Sequence, residues 1–467
     1  MASKQKTVYV CSSCGNESPK WYGKCPECGE WNTYQEEFRA VAKPTAKSSV
    51  LSSNILPLEI AKLSDIQASE EERYDTGMGE LNRVLGGGIV KGSVVLLGGD
   101  PGIGKSTLLL QICHCLCTSL SVLYISGEES RYQLKLRAKR LGVESDRLFV
   151  AACTDMDRIE QAITAARPDV VMIDSIQTMT ISSISSSAGS VTQVRECTQL
   201  LTRIAKEEGI PIIIVGHVNK DGAIAGPKVL EHIVDAVLSF EGDRNSAYRI
   251  LRGAKNRFGS TNEIGVFQMG EKGLEEVPNP SQTLLAERPK GVSGTCVACV
   301  MEGSRPIMAE VQALVSKTSF GTPRRTSTGF DGNRTALLIA VLEKRAGYFF
   351  GSLDSYINII GGLRLDEPAA DLPVAIALLS SLTDTPLDEG LLSFGEVGLA
   401  GELRSVSQAE LRVAEASRLG FTKCILPAHC MGQIRHAENY PIQLFPVNTV
   451  GEAFKVLRNS SRSQKEN

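Results

Sequence analysis

Residues 98–107, GGDPGIGKST, join closely spaced glycines to a lysine and two hydroxyl side chains. The spacing Gly99-x4-Gly104-Lys105-Ser106 follows the apolar run VVLLG and precedes TLLLQICHCL. A loop so placed presents its backbone N–H groups to phosphate at a helix N-terminus, with the lysine on the β- and γ-phosphates and the serine on Mg²⁺. Gly99, Asp100, Pro101, Gly102, Ile103, Gly104, Lys105, Ser106 and Thr107 are therefore the candidate site for ATP and Mg²⁺. Hydrolysis needs in addition a carboxylate for the metal shell and a group that orients water. Asp174 ends the apolar run VVMID and suits the first role; Glu128 and Glu129 end YISGEES, and Glu128 is assigned the second. The competing reading has these acids only capping the helices that follow.

A second chemistry lies at the N-terminus. Cys11-x2-Cys14 and Cys25-x2-Cys28 can bring four thiolates to the corners of a tetrahedron around Zn²⁺, each pair on its own turn. Four such ligands leave no open position, so the metal would be structural. Between the pairs, Lys20, Trp21, Tyr22 and Lys24 either touch DNA or pack the knuckle. The other cysteines are dispersed: Cys113, Cys115 and Cys117 read as helix packing, and Cys296 and Cys299 fall on opposite faces of a strand.

The elements that must position the acids and the phosphate loop are those of an α/β chain. SVVLLGG, SVLYISG, DVVMID, IPIIIVGH and DAVLSF are strand-like runs separated by amphipathic stretches, which predicts βαβ units and a mostly parallel sheet. The predicted divisions are a zinc ribbon over 1–36, a linker over 37–56, a nucleotide-binding domain over 57–280, a linker over 281–290, a second α/β domain over 291–457 and a disordered tail over 458–467. With 467 residues, 42% hydrophobic and a net charge of −3, the chain has no overall basic field to advertise nucleic acid. Its N-terminus has no apolar leader core and no run of eighteen apolar residues occurs. These features point to the cytosol, with no membrane partner.

The order of the motifs, a carboxylate on the strand after the phosphate-loop helix and an aspartate one strand later, resembles the RecA-like ATPases and the hexameric helicases related to DnaB. In such motors a residue at the end of the next strand senses the γ-phosphate. His217, closing IIIVGH, holds that place, or is simply structural. Likeness to these motors further implies that the loops 181–196 and 219–232, the second carrying Lys220 and Lys228, line a ring's channel and hold single-stranded DNA.

Lys255-Asn256-Arg257-Phe258-Gly259, taken with the cysteine module, GGDPGIGKST and the C-terminal region, resembles the RadA (Sms) family of bacterial DNA repair proteins over essentially the whole chain. This resemblance implies that Lys255 and Arg257 reach a neighbouring subunit's γ-phosphate, so that hydrolysis requires a ring, expected to be a homohexamer. It also implies a motor or helicase acting on single-stranded and branched DNA, with a RecA-type recombinase as a further partner, and a Lon-protease-like C-terminal domain serving as scaffold and DNA surface. In LDEPAADLPVA, residues 365–375, Ala369 stands where a Lon-type nucleophile would, and by count from Gly395 the lysine position falls on Glu410. Nucleophile and base are both missing, so peptidase chemistry by that pair is excluded. Arg324, Arg325 and Arg334 are the candidate DNA contacts of this domain. The alternatives are a KaiC-like regulatory ATPase without translocation and an ATP-dependent Lon-type protease.

Overall fold

The five apolar runs are long enough for strands and lack the alternation of a half-solvated sheet, which suits strands covered on both faces. In the computed structural model, which describes residues 5–11, 16–27, 29–40, 72–217, 230–242, 248–286, 288–319 and 321–463, they form neighbouring parallel strands. Their order is Ala236–Glu241, Val94–Gly99, Ile212–Val215, Val170–Asp174 and Val122–Ser126, with Leu148–Ala152 at the edge. Tyr248–Asn256 pairs antiparallel with Ala236–Glu241. LFVAA, itself five apolar residues in a row, forms the edge strand and is only partly buried there.

Chain order and spatial order together bring the ends of Val94–Gly99, Val122–Ser126, Val170–Asp174 and Ile212–Val215 to one side of the sheet. Ser126 lies opposite Asp174 in register. Helix Lys105–Leu116 leaves the first of these strands through the glycine loop.

The stretch 181–196, expected to be a loop throughout, is a loop only as far as Ser190. Ser190 caps helix Val191–Glu208 by accepting a hydrogen bond from Gln193 N, a contact worth about 1 kcal/mol. Val191, Val194, Cys197 and Leu201 then bury one helical stripe.

At the N-terminus Gln5–Cys11 pairs antiparallel with Glu17–Ser18 and with Tyr34–Ala40. Residues 37–40 thus continue a strand instead of opening the linker, because backbone pairing with Gln5–Val8 holds them. Alternation divides the first strand: Val8 and Val10 join the apolar cluster of the parallel sheet, and Tyr9 and Cys11 join Cys25 and Tyr34 on the knuckle side.

The chain divides into two compact units, the second beginning its main span at Val277. Within 281–290, expected as linker, residues 281–285 belong to helix Pro280–Leu285, capped by Asn279 and started by proline. The second unit is a seven-stranded mixed sheet ordered Arg325–Thr328, Leu353–Ile359, Arg305–Lys317, Thr295–Glu302, Leu391–Ser393, Lys423–Pro427 and Gln443–Val447. Helix Asp371–Leu382 is buried from Asp371 to Ser380 and packs on its central strands. Cys296 and Cys299 point to opposite faces of one strand, and both are buried. The expected disordered tail is helical through Ser463, since Val450, Ala453, Phe454 and Leu457 anchor helix Val450–Ser463 by one face; residues 464–467 lie outside the described ones. Among the described residues no helix is long and apolar enough to cross a membrane.

Candidate functional site

The phosphate loop ends in Gly104, the N-cap of helix Lys105–Leu116, with φ of 118°. That left-handed conformation favours glycine, and the absence of a side chain leaves the first-turn N–H groups to an anion. A Cβ built at Gly102 would meet nothing within 4 Å, so the cradle is open there. The Lys105 ammonium donates to the Gly99 carbonyl (2.7 Å) and the Asp100 carbonyl (3.0 Å). Burial lowers its pKa, and the Asp174 and Glu128 carboxylates pull it back up. The open cradle, the helix N-terminus and a cation facing two carboxylates fit nucleotide phosphates and Mg²⁺. Gly99–Thr107 would hold the phosphates, and Ser106 with Asp174 would hold the metal.

Asp174 is 5% exposed and accepts a hydrogen bond from the Tyr124 hydroxyl at 2.5 Å. Burial, and then Asp174, push the Tyr124 phenol well above its usual pKa, so it remains a donor. Tyr124 was not singled out from the sequence; its one signal is a phenol amid the aliphatic run VLYIS, where a buried hydroxyl requires a partner.

The two glutamates separate. Glu129 is ion-paired with Arg137 of helix Arg131–Arg140. Glu128 accepts from Ser175 Oγ at 2.5 Å and lies 3.0 Å from His217 Nε2. The His217 contact, assisted by Ser175 and opposed by partial burial, lowers the Glu128 pKa to about 2. Among the described residues His217 Nδ1 is buried without a hydrogen-bond partner. Lys220 and Lys228, in the segment that follows, lie outside the described residues.

Lys255 and Arg257 are engaged within their own chain. Lys255 donates to the carbonyls of Glu231 (2.5 Å) and Val234 (2.8 Å), and Arg257 lies 3.5 Å from the buried Asp235 carboxylate. Between them Asn256 donates to the carbonyls of Val84 and Leu85 at the end of helix Gly79–Leu85, and Arg73 donates to the Phe258 carbonyl at 2.8 Å. Asn256 and Phe258 thus clamp the turn that presents the two cations. Loop 181–190 is likewise tethered: buried Gln193 accepts from Ile181 N and donates to the carbonyls of Ile181, Ile184 and Ser186.

In the second unit Arg324 and Arg325 are exposed at the start of an edge strand. Arg334 does not join them: its Nε and Nη2 form a forked pair with the two oxygens of buried Asp371, the Nε bond being 2.8 Å. This forked pair engages Arg334 on a desolvated carboxylate and competes with the DNA contact expected of it.

Ala369 is fully buried in an apolar cluster, in the short 3-10 turn Pro368–Ala370. Glu410 lies in the first turn of helix Ala409–Arg418, but the cation that packs on this region is Arg412. Arg412, 0% exposed, pairs with Glu367, donates to the Cys299 carbonyl (2.7 Å) and the Ser407 carbonyl (3.0 Å), and lies over the Phe394 ring. A guanidinium remains protonated and cannot serve as a base. The site therefore offers a methyl group and an occupied cation instead of a nucleophile and a base.

Cys11 and Cys25 are buried side by side in one small cluster. Their turns close alike, Cys11 N donating to Asn16 O (2.9 Å) and Cys25 N to Glu30 O (2.8 Å). Cys14 and Cys28 lie outside the described residues. Two buried cysteines in one cluster, each opening a turn closed by the same kind of backbone bond, fit zinc held by Cys11, Cys14, Cys25 and Cys28. Chelation is expected to release about one zinc per chain and to collapse the ribbon. Both tryptophans of the chain, Trp21 and Trp31, lie there, so the near-UV tryptophan signal should fall with zinc release; an unchanged signal would contradict a structural metal.

Sheet order, phosphate loop and paired acids define a RecA-like ATPase that carries a zinc ribbon and a Lon-like domain. Family models match in three places: an AAA domain at residues 60–223, a rubredoxin metal-binding domain at 9–36 and the ChlI subunit of Mg-chelatase at 338–430. DNA repair protein RadA of Bacillus subtilis is 55% identical over 91% of this chain and 93% of its own length. The proteins of that name from Halalkalibacterium halodurans and Listeria monocytogenes are 53% and 51% identical, each over 97% of this chain and at least 98% of their own. The chain belongs to the RadA family of DNA repair ATPases.

Proposed function

We propose that the chain is a ring-forming motor, expected as a homohexamer, whose ATP hydrolysis is coupled to single-stranded DNA and which processes branched recombination intermediates alongside a RecA-type recombinase. The observation that carries this reading is the 3.0 Å contact between Glu128 and His217. It joins the carboxylate beside the phosphate loop to the residue at the head of the segment bearing Lys220 and Lys228.

Bound Mg²⁺ supplies charge neutralisation on the phosphates. The chain supplies the rest: the loop orients the nucleotide, Lys105 faces its developing negative charge, and Tyr124 steadies Asp174. Glu128, ionised at neutral pH, orients the attacking water. DNA on Lys220 and Lys228 would then act through His217 on the position of Glu128. Lys255 and Arg257 complete the neighbour's site after leaving Glu231, Val234 and Asp235, which makes turnover depend on assembly.

ATP hydrolysis measured with and without single-stranded DNA tests this reading. The expected result is stimulation by DNA that Lys255→Ala abolishes. Mixing that variant with an equal amount of wild type should lower the rate to well below half, because a ring containing it stalls. A rate that falls only in proportion to dilution, or one indifferent to DNA, would overturn the coupled-ring reading.

A further inference from the structure

The zinc ribbon exposes aromatic rings that no part of the proposed motor uses. Trp21 is 52% exposed, Tyr22 48% and Trp31 69%. Burying such rings is worth more than burying almost any other side chain, so three of them left in solvent on a small module require a reason. They are also held in place. Trp21 Nε1 donates to the Tyr34 carbonyl at 3.3 Å, Tyr22 meets the Tyr34 ring edge-on at 6.1 Å, and the Lys24 ammonium lies 5.7 Å from the centre of Trp31. A Cβ placed on Gly23 would be 3.7 Å from the Trp21 ring and 3.9 Å from that of Trp31, so the two indoles flank a residue without a side chain. Strand alternation turns Val8 and Val10 to the parallel sheet and the knuckles to the other side.

We infer that this surface is a stacking platform for the bases of single-stranded DNA. Ordered, solvent-facing rings beside cations suit unpaired bases, because every base has a π-face and the adjoining phosphates meet the ammonium groups. Lys20 and Lys24 share the surface with the exposed Glu27 and Glu30, so charge complementarity is modest and the rings carry the affinity. The inference rests on the DNA-coupled reading above and assigns to the ribbon a contact separate from Lys220 and Lys228.

The test is built into the composition, since Trp21 and Trp31 are the only tryptophans of the chain. All tryptophan emission from the full-length zinc-loaded protein therefore reports on this surface. Titration with end-labelled oligo(dT) should quench that emission in step with the rise in anisotropy of the label. Trp31→Ala should weaken binding about fivefold or more, and Trp31→Phe should recover most of it, with zinc content unchanged in both and little change in salt dependence. Binding by anisotropy with unchanged emission would overturn the platform and leave the motor reading intact. Emission that responds to a recombinase protein and not to oligo(dT) would reassign the surface to a protein partner and overturn it equally. Absence of any oligo(dT) binding, together with hydrolysis indifferent to DNA, would remove both readings.

Discussion

Glu128→Gln is expected to lower kcat for ATP hydrolysis about a hundredfold to a thousandfold and to leave nucleotide affinity nearly unchanged. The amide keeps the shape of the side chain and can still bond to Ser175 and His217, so the local structure should survive. What is lost is the negative charge that the His217 contact, with Ser175, stabilises to a pKa of about 2 and that polarises water at neutral pH. Glu129→Gln is the matched control, because Glu129 is occupied by Arg137 and should affect kcat little. Steady-state hydrolysis beside equilibrium nucleotide binding separates the two variants. Loss of kcat at position 129 and not at 128 would reverse the assignment.

Arg412→Ala is expected to destabilise the second unit by about 3–5 kcal/mol, the usual cost of stripping one partner from a buried ion pair. Removing the guanidinium deprives Glu367 of its counter-charge and the Cys299 and Ser407 carbonyls of their donor. The loss should appear as a lowered first transition in denaturant unfolding. Replacing both partners, Arg412→Met with Glu367→Gln, should recover much of it, since no charge is then left uncompensated. A double variant as unstable as Arg412→Ala would assign the loss to the Cys299 and Ser407 carbonyls left without that donor instead.

The two motifs that carry chemistry were legible because their parts are close in sequence. The glycine loop runs straight into helix Lys105–Leu116, and a C-x2-C pair is a local unit of sequence, so residue type and spacing nearly determine the geometry. The five buried strands were legible for a related reason: strands covered on both faces are continuous apolar runs. The same reasoning misplaced the end of loop 181–196, where Ser190 caps a helix, and passed over LFVAA, an apolar run like the others that lies at the sheet edge.

Tertiary structure decided every question whose answer is a partner distant in the chain. Of two adjacent glutamates, Glu128 pairs with His217, 89 positions away, and Glu129 with Arg137, a division that spacing alone does not reveal. Tyr124 matters because Asp174, 50 positions on, needs a buried donor. Arg334 looks like its exposed neighbours until Asp371 claims it, and Arg412 rather than Glu410 faces the lost nucleophile's region because Glu367 lies 45 residues back. By itself the sequence determined the inventory of this protein: a phosphate loop, a thiolate set, acids at strand ends and a Lon-like frame lacking its serine. The pairing of the charges was left to the fold, since a side chain's partner is the group that lies nearest in space once the sheet order is set, and local spacing carries no record of that order.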